Sequence, residues 1–151
     1  MMADTPVYQT VAEIEDVVLR FECCTYTPEE FVHARHLTVA VAYFARWEPE
    51  VARERMRAGL RKFIAHHGKN GYHVTITEFW LEIVEGLVAG REFPSADLVS
   101  LVNAVIVRCN DKNLIYDFYS RERIASPEAR TDRLHPDLKP IVTQDDRNVI
   151  G

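Results

Sequence analysis

The sequence predicts an all-α protein, a single-domain helical bundle of five to six helices with an extended C-terminal tail. Three observations lead to this prediction. Helix-start signals are frequent, apolar residues recur at helical spacing, and no pair of segments alternates as the strands of a hairpin do. We assign residues 1–125 to the bundle domain and residues 126–151, rich in proline and charge, to a tail packed on the surface. Its end, residues 148–151, is expected to fray.

The first two helices are predicted from their capping residues. Thr10 and Glu13 have the spacing of a capping box, in which each side chain bonds the backbone N–H of the other. For the second helix, Thr27 is placed at the N-cap and Pro28 at the first helical position, with acidic residues where the helix dipole favours them. We predict that this helix runs from Pro28 to Arg46.

Four further helices are marked by prolines, glycines and capping residues. The third is expected at residues 50–67, ended by the loop GKNG. The fourth starts near Tyr72, although its β-branched run VTIT is also compatible with an extended start. Ser95 and Asp97 begin a fifth helix, which is apolar almost all round and is therefore expected at the centre of the packing. The segment LIYDFYSRERI is predicted as a short sixth helix.

Composition and charge narrow the class of protein. With 151 residues, 47% of them hydrophobic and 27% charged, the chain has the profile of one ordinary globular domain. The net charge of −5 argues against a nucleic-acid surface, and no apolar run is long enough for a membrane span. The first residues lack the pattern of a signal peptide, so a cytoplasmic location is expected. Cys23, Cys24 and Cys109 fit no disulfide framework or zinc motif and are expected to be buried.

Histidines are concentrated in the second, third and fourth predicted helices. Five of the six lie there: His33, His36, His66, His67 and His73. Glu30, His33 and His36 are three residues apart and share one helix face. With His73 from the start of the fourth helix, His33 and His36 could hold one divalent metal, zinc or iron, with an open position for water or substrate. Glu30 is a further candidate ligand.

The histidines also have a structural interpretation. His36 lies on an apolar stripe, where its ring would bond a backbone carbonyl, and His66 and His67 end a helix, where imidazole suits the dipole. A di-iron site needs the Glu-x-x-His pair on two helices, and this chain has one such pair. The sequence contains no phosphate loop, G-x-S-x-G or HExxH motif, and it therefore names no reaction.

Charged rows mark the third and fourth helices. Three arginines lie four residues apart on the third: Arg53, Arg57 and Arg61. Three glutamates follow on the fourth: Glu78, Glu82 and Glu85. The arginines could receive a phosphate or an acidic partner, but we expect a solvated face. The glutamates are expected to be exposed and to pair with the arginines.

Three segments of the chain resemble a family of small, all-helical bacterial proteins of undefined function. The shared pattern is F-x-H-x-x-H-L, then Y-H-x-T-x-T-x-x-W, and later Y-S-x-x-x-x-x-S-P-x-A-R, within residues 31–140. By position it falls on Phe31, His33, His36, Leu37, Tyr72, His73, Thr75, Thr77, Trp80, Tyr119, Ser120, Ser126, Pro127, Ala129 and Arg130. The resemblance implies that the first two segments belong together, and it supplies no activity.

Two functional hypotheses remain open. In the first, a polar pocket between the second and fourth helices binds a metal or a small molecule, or its histidines act as acid and base. The candidate pocket residues are His33, His36, His73, Thr77, Tyr72 and Trp80, with the Thr77 hydroxyl orienting the His73 ring. In the second, the chain is a non-catalytic interaction module with structural histidines, and it forms a homodimer through the fifth helix or the aromatic sixth helix.

Overall fold

The structure, a computed structural model, describes residues 8–89 and 97–141. Within these ranges the chain forms helices and turns and no strand. The helices are α1 (Val11–Glu22), α2 (His33–Arg46), α3 (Pro49–His66), α4 (Val74–Ala89), α5 (Leu98–Cys109), a 3-10 helix (Lys112–Asp117), α6 (Arg121–Ala125) and α7 (Pro127–Thr131). The predicted all-α bundle is therefore confirmed. No helix in the described ranges is long and apolar enough to cross a membrane.

Helix α2 lies at the centre of the bundle, because it packs against α1, α3, α4 and α5. Its residues from Leu37 to Phe44 are all buried, and alanines among them let the neighbouring helices approach closely. The prediction that the fifth helix occupies the centre is wrong. Among the described residues, helix α5 packs through one side, and on its outer side Val107 is 78% exposed.

The second helix begins at His33, later than predicted. Thr27 and Glu30 form reciprocal bonds, at 2.9 and 3.1 Å, but these close a single turn. Phe31 then enters the core and stacks on Phe21, with 4.8 Å between the ring centroids. The turn ends here because a continuous helix would place the Phe31 ring away from Phe21 and outside the core.

The C-terminal part of the described chain is tied to α4. The predicted sixth helix is divided into the 3-10 helix and α6, because the Ser120 hydroxyl accepts from the Arg123 N–H and starts a new helix. The Thr75 hydroxyl donates to the carbonyl oxygen of Asp132 at 2.7 Å and accepts from the N–H of Leu134 at 3.1 Å. These bonds hold the segment after α7 against the start of α4. The predicted frayed end, residues 148–151, lies outside the described residues.

Ion pairs join α3 to α4. The Arg57 guanidinium donates to both carboxylate oxygens of Glu78, at 2.7 and 2.9 Å, and Arg53 donates to Glu85 at 2.7 Å. Arg57 and Arg53 thus pair with Glu78 and Glu85 as predicted, whereas Glu82 pairs with Arg133. The predicted exposure is wrong, since Glu78 is 7% exposed and Glu82 and Glu85 are half-buried. The Arg57 guanidinium holds the pKa of the Glu78 carboxyl below its usual range. The rows thus connect two helices that form walls of the site described below.

Two of the three cysteines and the end of α3 agree with the sequence predictions. Cys24 and Cys109 are buried as expected, whereas Cys23 is exposed because it follows the last turn of α1 on the solvent side. His66 ends α3 and His67 caps it, as predicted.

Candidate functional site

A cavity of about 640 Å³ lies between α2, α3, α4 and the 3-10 helix. This volume is within the range of small-molecule pockets, roughly 300–1,000 Å³. Its walls are mainly apolar and include Phe31, Val32, Leu37, Ala40, Met56, Leu60, Ile64, Ile76, Leu81, Val84 and Ile115. The six candidate pocket residues from the sequence all line it: His33, His36, Tyr72, His73, Thr77 and Trp80.

Helical spacing explains which residues reach the cavity. Three helices each present one face to it. The lining residues are His33, His36, Leu37 and Ala40 of α2, Met56, Leu60 and Ile64 of α3, and Ile76, Thr77, Trp80, Leu81 and Val84 of α4. Each set recurs three or four residues apart, which is the spacing of one helix face. The cavity is therefore enclosed by regular elements rather than by loops alone.

His73 is a capping residue and has no free ring nitrogen. Its Nε2 donates to the carbonyl oxygen of Ile124 at 2.8 Å, and its Nδ1 accepts from the backbone N–H of Ile76 at 3.1 Å. The ring thereby satisfies one of the unpaired N–H groups at the start of α4. The predicted orientation of the ring by the Thr77 hydroxyl is not observed, since Ile124 and Ile76 orient it.

His33 is the first residue of α2 and retains one free acceptor. Its Nε2 bonds the carbonyl oxygen of Cys109 at 2.9 Å. A carbonyl oxygen only accepts, so Nε2 carries the proton and Nδ1 of the neutral ring keeps a lone pair. Nδ1 has no hydrogen-bond partner among the described residues. Burial lowers the pKa of His33, with a smaller contribution from the positive charge of Lys112, and the edge of Trp80 packs on the ring at 4.5 Å.

His36 lies one turn further along α2 and has the opposite tautomer. Its Nδ1 donates to the carbonyl oxygen of Val32 at 3.1 Å, so Nε2 is the acceptor and has no partner within the described ranges. Its ring packs on Phe31 with 4.0 Å between centroids. Burial lowers the pKa of His36 to about 4, which keeps the imidazole neutral at pH 7.

The three histidines do not form the predicted metal site. Among residues 8–89 and 97–141, no group of three histidines, cysteines, aspartates or glutamates could hold a metal ion. His73 has no nitrogen to offer, which leaves two imidazoles at most. Glu30, the further candidate ligand, is exposed and accepts from the N–H of Thr27 at 2.9 Å. This group of residues does not provide the three ligands that a zinc site needs.

Sequence reasoning missed two walls of the cavity. One is the face of α3. The apolar stripe of this helix is visible in the sequence, but the sequence does not indicate which helix the stripe packs against. The other is the 3-10 helix, which contributes Lys112, Asn113 and Tyr116. The other aromatics of that segment pack inside the chain, since Phe118 and Tyr119 lie 5.4 and 6.2 Å from Phe79. Both rings therefore contribute to packing within the chain.

The fold and this cavity define an all-α helical protein with a ligand-sized cavity that contains two neutral imidazoles with free acceptor nitrogens. Comparison with known proteins finds no matching family model, no matching curated protein and no matching solved structure. The function is therefore inferred from the geometry and chemistry of the cavity.

Proposed function

We propose that the protein binds a small, largely apolar organic molecule in the cavity between α2, α3, α4 and the 3-10 helix. The observation that supports this most is the cavity itself, which has about 640 Å³ within a chain of 151 residues. Apolar ligand surface transferred from water to such walls contributes roughly 25 cal/mol per Å² to binding before association costs are subtracted.

Aromatic contacts hold the walls of the cavity in place. Trp80 packs between His33 and Phe79, at 4.5 and 5.0 Å, and Phe31 lies 5.1 Å from Phe63. Walls fixed in this way reduce the ordering cost of binding, which supports a binding site.

The histidine chemistry favours binding over acid–base catalysis. A general base works best when its pKa is near the working pH, whereas the pKa of His36 is about 4. Both nitrogens of His73 are hydrogen-bonded to the backbone, so this ring exchanges no proton with a ligand without breaking its cap. The imidazoles of His33 and His36 are therefore assigned to ligand recognition.

The test is a fluorescence titration with N-phenyl-1-naphthylamine, a neutral dye that becomes emissive in apolar surroundings. We expect saturable binding of one dye per chain. Leu60→Trp, which fills the cavity from α3, should weaken binding at least tenfold. Leu19→Trp is the matched control, since Leu19 is 57% exposed on α1 and does not line the cavity. Absence of saturable fluorescence, or equal binding by both variants, would contradict the proposal.

A further inference from the structure

We infer that the ligand carries a hydrogen-bond donor, a hydroxyl or N–H group, whose proton is accepted by the free ring nitrogen of His33 or of His36. This inference rests on the proposed binding function and specifies the chemistry of the molecule that is bound.

The hydrogen bonds to backbone carbonyls fix the two imidazoles as acceptors. Cys109 holds the proton on Nε2 of His33, and Val32 holds it on Nδ1 of His36. The remaining nitrogens, Nδ1 of His33 and Nε2 of His36, carry lone pairs and accept no bond from the described part of the chain. Reversing either tautomer would direct a lone pair at a carbonyl oxygen, so neither ring becomes a donor without losing its bond.

The two rings differ in this respect from the hydroxyl groups of the cavity. Tyr72, Thr77 and Tyr116 carry hydroxyl groups, which rotate and serve as donors or acceptors. These groups therefore do not discriminate between ligand donors and ligand acceptors. The imidazoles do, because a ligand that presents only an ether or ketone oxygen leaves their lone pairs unpaired. A ligand that displaces water from these nitrogens without supplying a donor therefore binds less tightly.

Both rings are kept neutral by their surroundings. His33 lies between Trp80 and the Cys109 carbonyl, and His36 lies against Phe31. The lowered pKa values of both rings agree with this environment, which disfavours the charged form. The positive charge of Lys112 acts on His33 in the same direction. A carboxylate placed at these nitrogens would meet lone pairs, so the donor group on the ligand is a neutral hydroxyl or N–H.

Three ring-matched probes test the inference by displacement of N-phenyl-1-naphthylamine. They are 2-naphthol, which donates, 2-methoxynaphthalene, which only accepts, and naphthalene, which does neither. We expect 2-naphthol to displace the dye at an at least tenfold lower concentration than 2-methoxynaphthalene. In the double variant His33→Phe and His36→Leu this preference should disappear, whereas His66→Leu, at an exposed position outside the cavity, should keep it. Comparison of variant with wild type cancels differences in the hydration of the probes.

A second measurement needs no variant. In the imidazole ¹⁵N spectrum of the wild-type protein, the unprotonated nitrogen of His33 or of His36, whichever accepts the hydroxyl proton, should move upfield when 2-naphthol binds. It should move little with 2-methoxynaphthalene. Equal preference in wild type and double variant, or unchanged ¹⁵N shifts, would overturn the inference and leave the binding proposal intact. Absence of dye binding to the wild-type protein would overturn both.

Discussion

His73 donates a hydrogen bond from Nε2 to the carbonyl oxygen of Ile124, 2.8 Å away and 51 positions further along the chain. The same ring accepts from the N–H of Ile76 through Nδ1 at 3.1 Å. One imidazole therefore caps α4 and attaches the end of α6 to it. Because both of its ring nitrogens are bonded to the backbone, His73 lines the cavity but offers no nitrogen to a ligand.

Replacement of His73 by Ala should lower the free energy of unfolding by about 1–3 kcal/mol, because α4 loses its cap and the Ile124 carbonyl loses its partner. His73→Asn retains a cap acceptor and should recover part of the loss. Urea unfolding followed by circular dichroism measures both. The control is His135→Ala at an exposed position, where a change below about 0.5 kcal/mol is expected. An unaltered midpoint for His73→Ala would show that the cap contributes nothing.

Acidification should destabilise the protein through His36. The pKa of His36 is about 4 in the folded protein against an ordinary value of 6.5, so the unfolded chain takes up the proton first as the pH falls. The stability that depends on the neutral His36 ring is fully present above about pH 6.5. It is lost as the pH falls from 6.5 to about 4, and the greatest loss of unfolding free energy is about 3 kcal/mol. His36→Leu should be less sensitive to acid in urea unfolding at pH 7.5 and 4.5. The variant creates no unbonded carbonyl, because Val32 still accepts from the N–H of Arg35.

The pair of Arg57 and Glu78 should be much more sensitive to single substitutions than exposed pairs are. Glu78→Leu leaves a half-buried guanidinium without its bidentate partner and should cost about 3 kcal/mol of unfolding free energy. The double variant Arg57→Met and Glu78→Leu should recover much of this loss. Asp16→Ala breaks an exposed pair with Arg20 and should cost under about 1 kcal/mol. Denaturant titration of all three variants measures the differences, and equal losses for Glu78→Leu and Asp16→Ala would contradict the expectation.

Two helical glycines should respond in opposite directions to alanine. A Cβ at Gly59 would lie 2.7 Å from Cε2 of Phe21, whose ring is held in a stack with Phe31. Gly59→Ala should therefore be destabilising by about 1–3 kcal/mol despite the better helix propensity of alanine. At Gly86 no atom lies within 4 Å, so Gly86→Ala should be stabilising by about 0.5–1 kcal/mol. Thermal unfolding midpoints distinguish the two variants, and an increase in both would mean that the Phe21 ring moves aside.

Local signals account for the parts of the fold that the sequence predicts well. The capping box of Thr10 and Glu13 is present at the start of α1, and the VTIT segment is helical. The predicted start of α2 was wrong because Phe31 leaves the turn and packs against aromatic rings of other helices. No local pattern records that contact, since its partners Phe21 and Phe63 belong to α1 and α3.

The candidate site was predictable as a set of residues but not as a set of roles. Helical spacing and the quoted motifs grouped His33, His36 and His73, which all line the cavity. The roles of His33 and His73 depend on carbonyl partners far away in sequence, since 76 positions separate His33 from Cys109 and 51 separate His73 from Ile124. Every residue has a backbone carbonyl, so the sequence contains no signal that marks those of Cys109 and Ile124 as hydrogen-bond partners.

The bonds that hold the start of α4 also set the order in which a newly made chain acquires its cavity. Every lining residue lies between Pro28 and Tyr116, whereas the backbone groups that bond His73 and Thr75 belong to Ile124, Asp132 and Leu134. During translation the walls are thus synthesised before the segment that fixes one of them. We expect the cavity to reach its final form only after residue 134 has emerged from the ribosome, so a nascent chain would gain the proposed binding capacity in one late step.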